Sequence, residues 1–209
     1  MRFHDRVQAA WRLVEALRPL GLERPVILGI PRGGVVLADI LARALGGTAD
    51  VVFARKIGAP GHQEFALGAV GEDGSIYLQP YAHHYASPAY LEAEAQRQQA
   101  VIAERAKRYR AVRPKVALGG RDVVIVDDGI ATGSTVEAAI QAVRAEQPRR
   151  LIVAVPVAPP EALERLQGQA EVVCLSTPVP FGAVGAFYQE FPQVSDQEVL
   201  ERLSGWASL

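Results

Sequence analysis

The strongest constraint on this chain is an alternation. Short apolar runs recur along it, separated for the most part by segments with helical spacing. Residues 25–30 (PVILGI), 50–55 (DVVFAR), 122–126 (DVVIV), 151–157 (LIVAVPV) and 171–176 (EVVCLS) each read as a buried strand. Strands that are apolar on both faces belong in a parallel sheet covered on both sides, because neither face can be left to water. The segments between them supply the cover: helices are expected at 33–47, closed by glycines, at 134–146 and near 159–167. The expected fold is therefore α/β, a doubly wound, mostly parallel sheet flanked by helices.

Two stretches interrupt that pattern. KIGAPGHQ (56–63) reads as a Gly/Pro-punctuated loop, and FALGAV (65–70) with the turn signal GEDGS (71–75) predicts a β-hairpin over 66–79. From Pro88 to about Val112 the chain reads as one long polar helix. The first twenty residues form an amphipathic helix with apolar positions 7, 10, 11, 14 and 17. Beyond about residue 176, STPVPFGAVGAFYQEFPQVSD is rich in Pro, Gly and aromatics and predicts a small cap. With 209 residues and 49% hydrophobic content, one domain is expected. Its core spans about 20–175 and its cap about 176–209, to which residues 1–19 can be joined.

Function is written most densely in VVIVDDGIATGST, residues 123–135. In an open α/β sheet ligands bind beyond the carboxyl ends of the strands, which is where Asp127 and Asp128 stand. The loop after them enters a helix, whose free amides and dipole favour an anion such as phosphate. Gly129 and Gly133 permit close backbone approach, and Thr132, Ser134 and Thr135 can donate hydroxyl hydrogen bonds. The competing reading is plain capping of the helix by Ser134 or Thr135. Capping leaves the paired acids unexplained, whereas carboxylates suit vicinal sugar hydroxyls or the hydration shell of Mg²⁺. No Walker A loop and no G-x-G-x-x-G is present in this stretch.

The stretch resembles the phosphoribosyl pyrophosphate (PRPP) binding motif of the type I phosphoribosyltransferases. GIPRGG, with Arg32, Gly33 and Gly34, is similar to the family's pyrophosphate turn, where a strained or cis peptide is common. ARKIG, with Arg55 and Lys56, resembles the start of the flexible loop in adenine-type members. The resemblance implies transfer of a 5-phosphoribosyl group from PRPP to a nitrogen nucleophile, with a nucleobase the first candidate, and release of pyrophosphate. It implies that Asp127 and Asp128 hold the ribose hydroxyls and, through water, Mg²⁺. It further implies that Ala131, Thr132, Gly133, Ser134 and Thr135 cradle the 5′-phosphate, and that Arg32, Gly33, Gly34, Arg55 and Lys56 meet the pyrophosphate. The loop from about Gly58 to Glu64 would be mobile when empty and close over the site. Hypoxanthine-guanine members carry an aspartate where this chain has Ala131, and adenine-type loops continue with a second lysine and Leu-Pro where this chain reads RKIGAPG. Glu64 is the remaining candidate for a general base. Phe181, Phe187 and Tyr188 could stack on a planar acceptor, or else fill the cap's own small core.

Bulk properties bound the alternatives. A net charge of -1 argues against broad electrostatic binding to nucleic acid or acidic membranes. No run approaches the length of a membrane span, the N-terminus lacks an apolar leader, and the single cysteine, Cys174, lies in an apolar run, so a reducing cytoplasm is the expected compartment. The basic residues Arg97, Arg105, Lys107, Arg108, Arg110 and Arg113 on the long helix read first as a solvated face, with pyrophosphate, a partner subunit or RNA as alternatives. A homodimer is an expectation of the resemblance alone. The alternative to a Mg²⁺-dependent enzyme is a PRPP- or nucleotide-sensing regulator on the same fold.

Overall fold

The structure, a computed structural model, describes residues 2–208. In chain order its strands are β1 (Val26–Gly29), β2 (Thr48–Val51), β3 (Ala54–Ala59), β4 (His62–Gly71), β5 (Ile76–Leu78), β6 (Asp122–Val126), β7 (Arg150–Val157) and β8 (Glu171–Ser176). Its helices are α1 (Arg6–Leu17), α2 (Gly33–Leu45), α3 (Ala82–Tyr85), α4 (Pro88–Val112), α5 (Ser134–Arg144), α6 (Pro160–Gln167) and α7 (Asp196–Ser204).

The main sheet has the order β2-β1-β6-β7-β8, with every neighbouring pair parallel. Its central strands obey the two-residue period of an extended chain. Val123 and Ile125 join the core shared with α5 and α6, while Val124 and Val126 join the one shared with α1, α2, α4 and α7. All four side chains are fully buried, and each contributes about 1.5–3 kcal/mol by leaving water. A polar residue on either face would forfeit that gain, which is why the run is apolar throughout.

The strand order also creates the site. From β1 the chain winds outward to β2, and from β6 it winds the opposite way to β7 and β8. The loops leaving β1 and β6 therefore diverge and open a crevice between them. Ile30 N–H donates to the Val126 carbonyl at 3.1 Å, so the two strands stay paired up to its mouth.

A second sheet, β3-β4-β5, is antiparallel and includes the hairpin expected over 66–79. DVVFAR, expected as one strand, is divided between the two sheets. Val52 N–H still bonds the Gly29 carbonyl at 3.2 Å, after which Phe53 turns into the core beside Tyr109, with ring centroids 5.6 Å apart. No Gly or Pro marks the break, so an extended apolar run reads as one strand. The expected loop 56–63 is likewise a correction. β3 continues to Ala59, which pairs with His62 across a Pro60–Gly61 turn, Gly61 taking φ +74. Pro followed by Gly with positive φ is the chemistry of a tight turn between paired strands, so residues 58–64 form a hydrogen-bonded hairpin tip.

The N-terminal helix faces inward with Arg6, Ala9, Ala10, Leu13, Val14 and Leu17, leaving Val7 and Trp11 43% and 50% exposed. Residues 177–195 form the irregular cap. Phe3 is stitched to it by hydrogen bonds to Phe187 and Gln189, each 2.8 Å. α7 and Trp206, expected within the cap, instead bury Val199, Leu203 and Trp206 in the main core. Among the described residues no helix is long and apolar enough to cross a membrane.

Candidate active site

Asp127 and Asp128 leave the end of β6 and meet a partner from the other end of the chain. Arg6 Nε of α1 donates to Asp128 Oδ2 at 2.8 Å, the two side chains being 10% and 15% exposed. The same guanidinium donates to the Pro192 carbonyl at 2.6 Å and lies 4.0 Å over the Phe191 ring. Arg6 thus ties the first helix, the acidic pair and the cap together. Asp128 N–H donates to Asp127 Oδ1 at 2.8 Å. Burial, and then the Asp128 charge beside it, push the Asp127 carboxyl well above the ordinary carboxylate range. The oxygen donors of the pair suit a hard divalent cation.

The turn after β1 lies directly on these acids. A Cβ on Gly33 would stand 2.0 Å from Asp128 Oδ2, and one on Gly34 would stand 2.7 Å from the Val126 carbonyl oxygen. At Gly34 the obstacle is backbone, so only glycine fits there, whereas a side chain at Gly33 would have to displace the Asp128 carboxylate. The peptide between Pro31 and Arg32 is cis.

On the far side of the acids, α5 begins at Ser134 with Gly133 as N-cap, φ +85 and no side-chain capping bond. Ser134 and Thr135 therefore do not cap α5, although the Ser134 amide reaches Thr132 Oγ1 at a long 3.4 Å. Thr132 Oγ1 and Ser134 Oγ are 3.1 Å apart, and Ala131, Thr132 and Thr135 are exposed at the loop's rim. Arg165 of α6 donates to the Thr132 carbonyl and pairs with Glu137, bracing the loop from behind.

Two cavities flank the Pro31–Gly33 turn. One, of about 470 Å³, faces the cap and is lined by Arg6, Arg32, Gly33, Asp128, Val184 and Phe191, among others. The other, of about 380 Å³, lies under α4, and its wall includes Pro31, Arg55, Thr135, Arg105, Arg108 and Asp196. The structure separates the two cations expected to act together. Arg55 reaches this second cavity, its Nε donating to Gln98 Oε1 at 2.6 Å. Lys56, the next residue along the strand, faces the other way and pairs with Glu64 at 2.8 Å. Lys56 and the candidate base Glu64 thus neutralise each other on the hairpin.

Of the aromatics assigned to the acceptor, Tyr188 does not fit. It is 2% exposed, with Phe191 stacked on it at 4.7 Å and Phe3 at 5.6 Å. Its hydroxyl donates to the Asp128 carbonyl at 2.7 Å, so it braces the acidic loop rather than offering a face. Phe181 and Phe187 are half-buried with centroids 5.0 Å apart. A Cβ on Gly129 would lie 2.5 Å from Val184, so this glycine admits the cap onto the acidic loop.

Arg6, Arg165 and Tyr188 are the supports that sequence reasoning missed or misassigned. Arg6 carried one readable signal, a charged residue one turn before Ala9 and Ala10 on the buried face of α1.

The geometry brings together the N-terminus of α5, a pair of carboxylates and a glycine turn, and known proteins carry the same domain. Residues 6–186 match the family model of the phosphoribosyl transferase domain. Two Mycobacterium tuberculosis proteins, "Putative phosphoribosyl transferase MT0597" and "Putative phosphoribosyl transferase Rv0571c", are each 42% identical over 201 residues. Those matches cover 95% of this chain and 45% of each relative, so the chain spans about half the length of these curated relatives. The crystal structure of TT1426 from Thermus thermophilus superposes with a TM-score of 0.97 at 61% identity, covering 99% of this chain and 100% of that one. The chain belongs to the phosphoribosyl transferase domain family.

Proposed function

We propose that this chain binds PRPP and transfers its 5-phosphoribosyl group to a nitrogen acceptor, a nucleobase being the first class to test, with release of pyrophosphate. The observation that carries this reading is the convergence at one switch point of the α5 cradle, the Asp127–Asp128 pair and the Gly33–Gly34 turn. A ligand bearing a phosphate, a diol and a second anion uses all three, and a simple phosphate ligand uses one.

In this reading residues 131–135 receive the 5′-phosphate at the helix N-terminus. Asp127 and Asp128 accept from the ribose hydroxyls, and Arg6 fixes the Asp128 carboxylate in position. The paired carboxylate oxygens fit Mg²⁺ held through water by Asp127 and Asp128. When bound, the metal supplies charge neutralisation for the leaving pyrophosphate. Arg32 and the Gly33 amide meet that leaving group, the Gly34 amide being held by the Ile30 carbonyl at 3.0 Å, and preorganised donors stabilise charge as it develops. The acceptor enters through the cap-side cavity, past Val184 and Phe191.

The test is pyrophosphate release from PRPP and Mg²⁺ across a panel of purine and pyrimidine bases and other amines. Release with at least one acceptor is expected. Tight PRPP binding with no release for any acceptor would replace catalysis by sensing.

A further inference from the structure

The second cavity, under α4, is built unlike a solvated basic face. Arg105 and Arg108 are three apart and so share one side of α4, where they wall the cavity together with Arg55 of β3. The buried Ile102, Phe53 and Ala139 line it as well, together with the exposed Val101. Its acids are Glu104 and Asp196. Asp196 is engaged by the Tyr109 hydroxyl at 2.6 Å and stands 3.4 Å from Arg108 and 3.8 Å from Arg105. These are loose contacts for guanidinium groups with five N–H donors each, and both side chains are about half exposed, 41% and 53%. The cavity also borders the proposed donor site on two sides, through Pro31 of the glycine turn and Thr135 of the phosphate cradle.

We infer that Arg105 and Arg108, with Arg55, form the outer wall of the pyrophosphate site and bind the terminal phosphate of the donor. This rests on the PRPP reading above and adds residues that its three motifs do not contain. An anion larger than the glycine turn can enclose needs further cations, and planar guanidinium forks are suited to phosphate oxygens. The basic stripe on α4 thereby divides. Arg105 and Arg108 face the ligand, whereas Arg110 and Arg113 are consumed inside the fold, the first by Asp50 and Glu72 and the second by the Ala49 carbonyl.

The test is titration calorimetry with Mg²⁺ and three ligands, PRPP, inorganic pyrophosphate and ribose 5-phosphate, on the wild type and on Arg105→Gln/Arg108→Gln. Both sites are on the surface and Tyr109 keeps its bond to Asp196, so the fold is retained; Arg105→Lys/Arg108→Lys, which keeps the charge, serves as the conservative control. The double Gln variant should bind PRPP and pyrophosphate roughly tenfold or more weakly and ribose 5-phosphate within about twofold of wild type, with the Lys variant in between. Unchanged PRPP affinity would overturn the inference, as would an equal loss for all three ligands, which would show only a long-range field. A wild-type protein that binds neither PRPP nor pyrophosphate would remove the underlying reading, and that failure is visible before any variant is made.

Discussion

Arg6 and Asp128 come from positions 122 residues apart, and their coupling can be measured. The pair is 2.8 Å long, with side chains 10% and 15% exposed. An exposed ion pair contributes about 0–1 kcal/mol, and breaking a buried one by removing a single partner costs about 3–5 kcal/mol. This pair lies nearer the second limit, and Arg6 additionally holds the Pro192 carbonyl and covers the Phe191 ring. Arg6→Met should therefore destabilise by about 2–4 kcal/mol, a fall in Tm of roughly 5–15 °C for a domain of this size. In a double-mutant cycle with Asp128→Asn, followed by urea unfolding, the coupling energy should be about 1.5–3 kcal/mol. A coupling below about 0.5 kcal/mol would place the pair among ordinary surface contacts and refute the argument that Arg6 positions the acid.

Further outcomes follow from the same site and from the fold beneath it. Gly33→Ala drives a methyl into Asp128, so it should cost about 1–3 kcal/mol and weaken PRPP binding; an unaltered Tm and affinity would show that the turn does not press on the acid. Asp127→Asn should raise the Tm of the metal-free protein at pH 7. The folded carboxyl titrates above its unfolded value, so the ionised group opposes folding once pH rises through the folded pKa, and the gain from Asn should vanish in acid. Asp122 has the reverse sign. Bonds from Arg149, aided by the Glu23 amide, hold its carboxyl below the usual range, so its stabilisation is present above about pH 4, the unfolded value, and fades as pH falls through the lower folded pKa. The stability difference between wild type and Asp122→Asn, followed by urea unfolding across pH, should shrink along that course; a difference that grows in acid would contradict it.

The parallel sheet was legible because burial on both faces demands strands such as DVVIV, whose composition nothing else in a near-neutral chain explains. The positions of Asp127, Asp128 and the α5 cradle followed, since ligands collect where such strands end. What the pattern could not carry is contact between distant segments. Arg6 lies in a helix whose inward stripe includes position 6 only because the cap and the acidic loop supply its partners. The break at Val52–Phe53 has no Gly or Pro, and its cause is the packing of Phe53 on Tyr109. Arg55 and Lys56 read as one basic pair, yet strand alternation sends one to α4 and the other to Glu64. Tyr188 stood open between stacking on an acceptor and filling the cap's core, and its partner Phe3, at the other end of the chain, meets it only in the fold.

The central claim is that the crevice between β1 and β6 is a PRPP site organised around its two acids. Calorimetry with PRPP and Mg²⁺ on the wild type and on Asp127→Asn/Asp128→Asn tests it most directly. Saturable binding to the wild type and none to the doubly substituted protein is expected, with the far-ultraviolet circular dichroism of the two unchanged. Binding of equal affinity to both would contradict it.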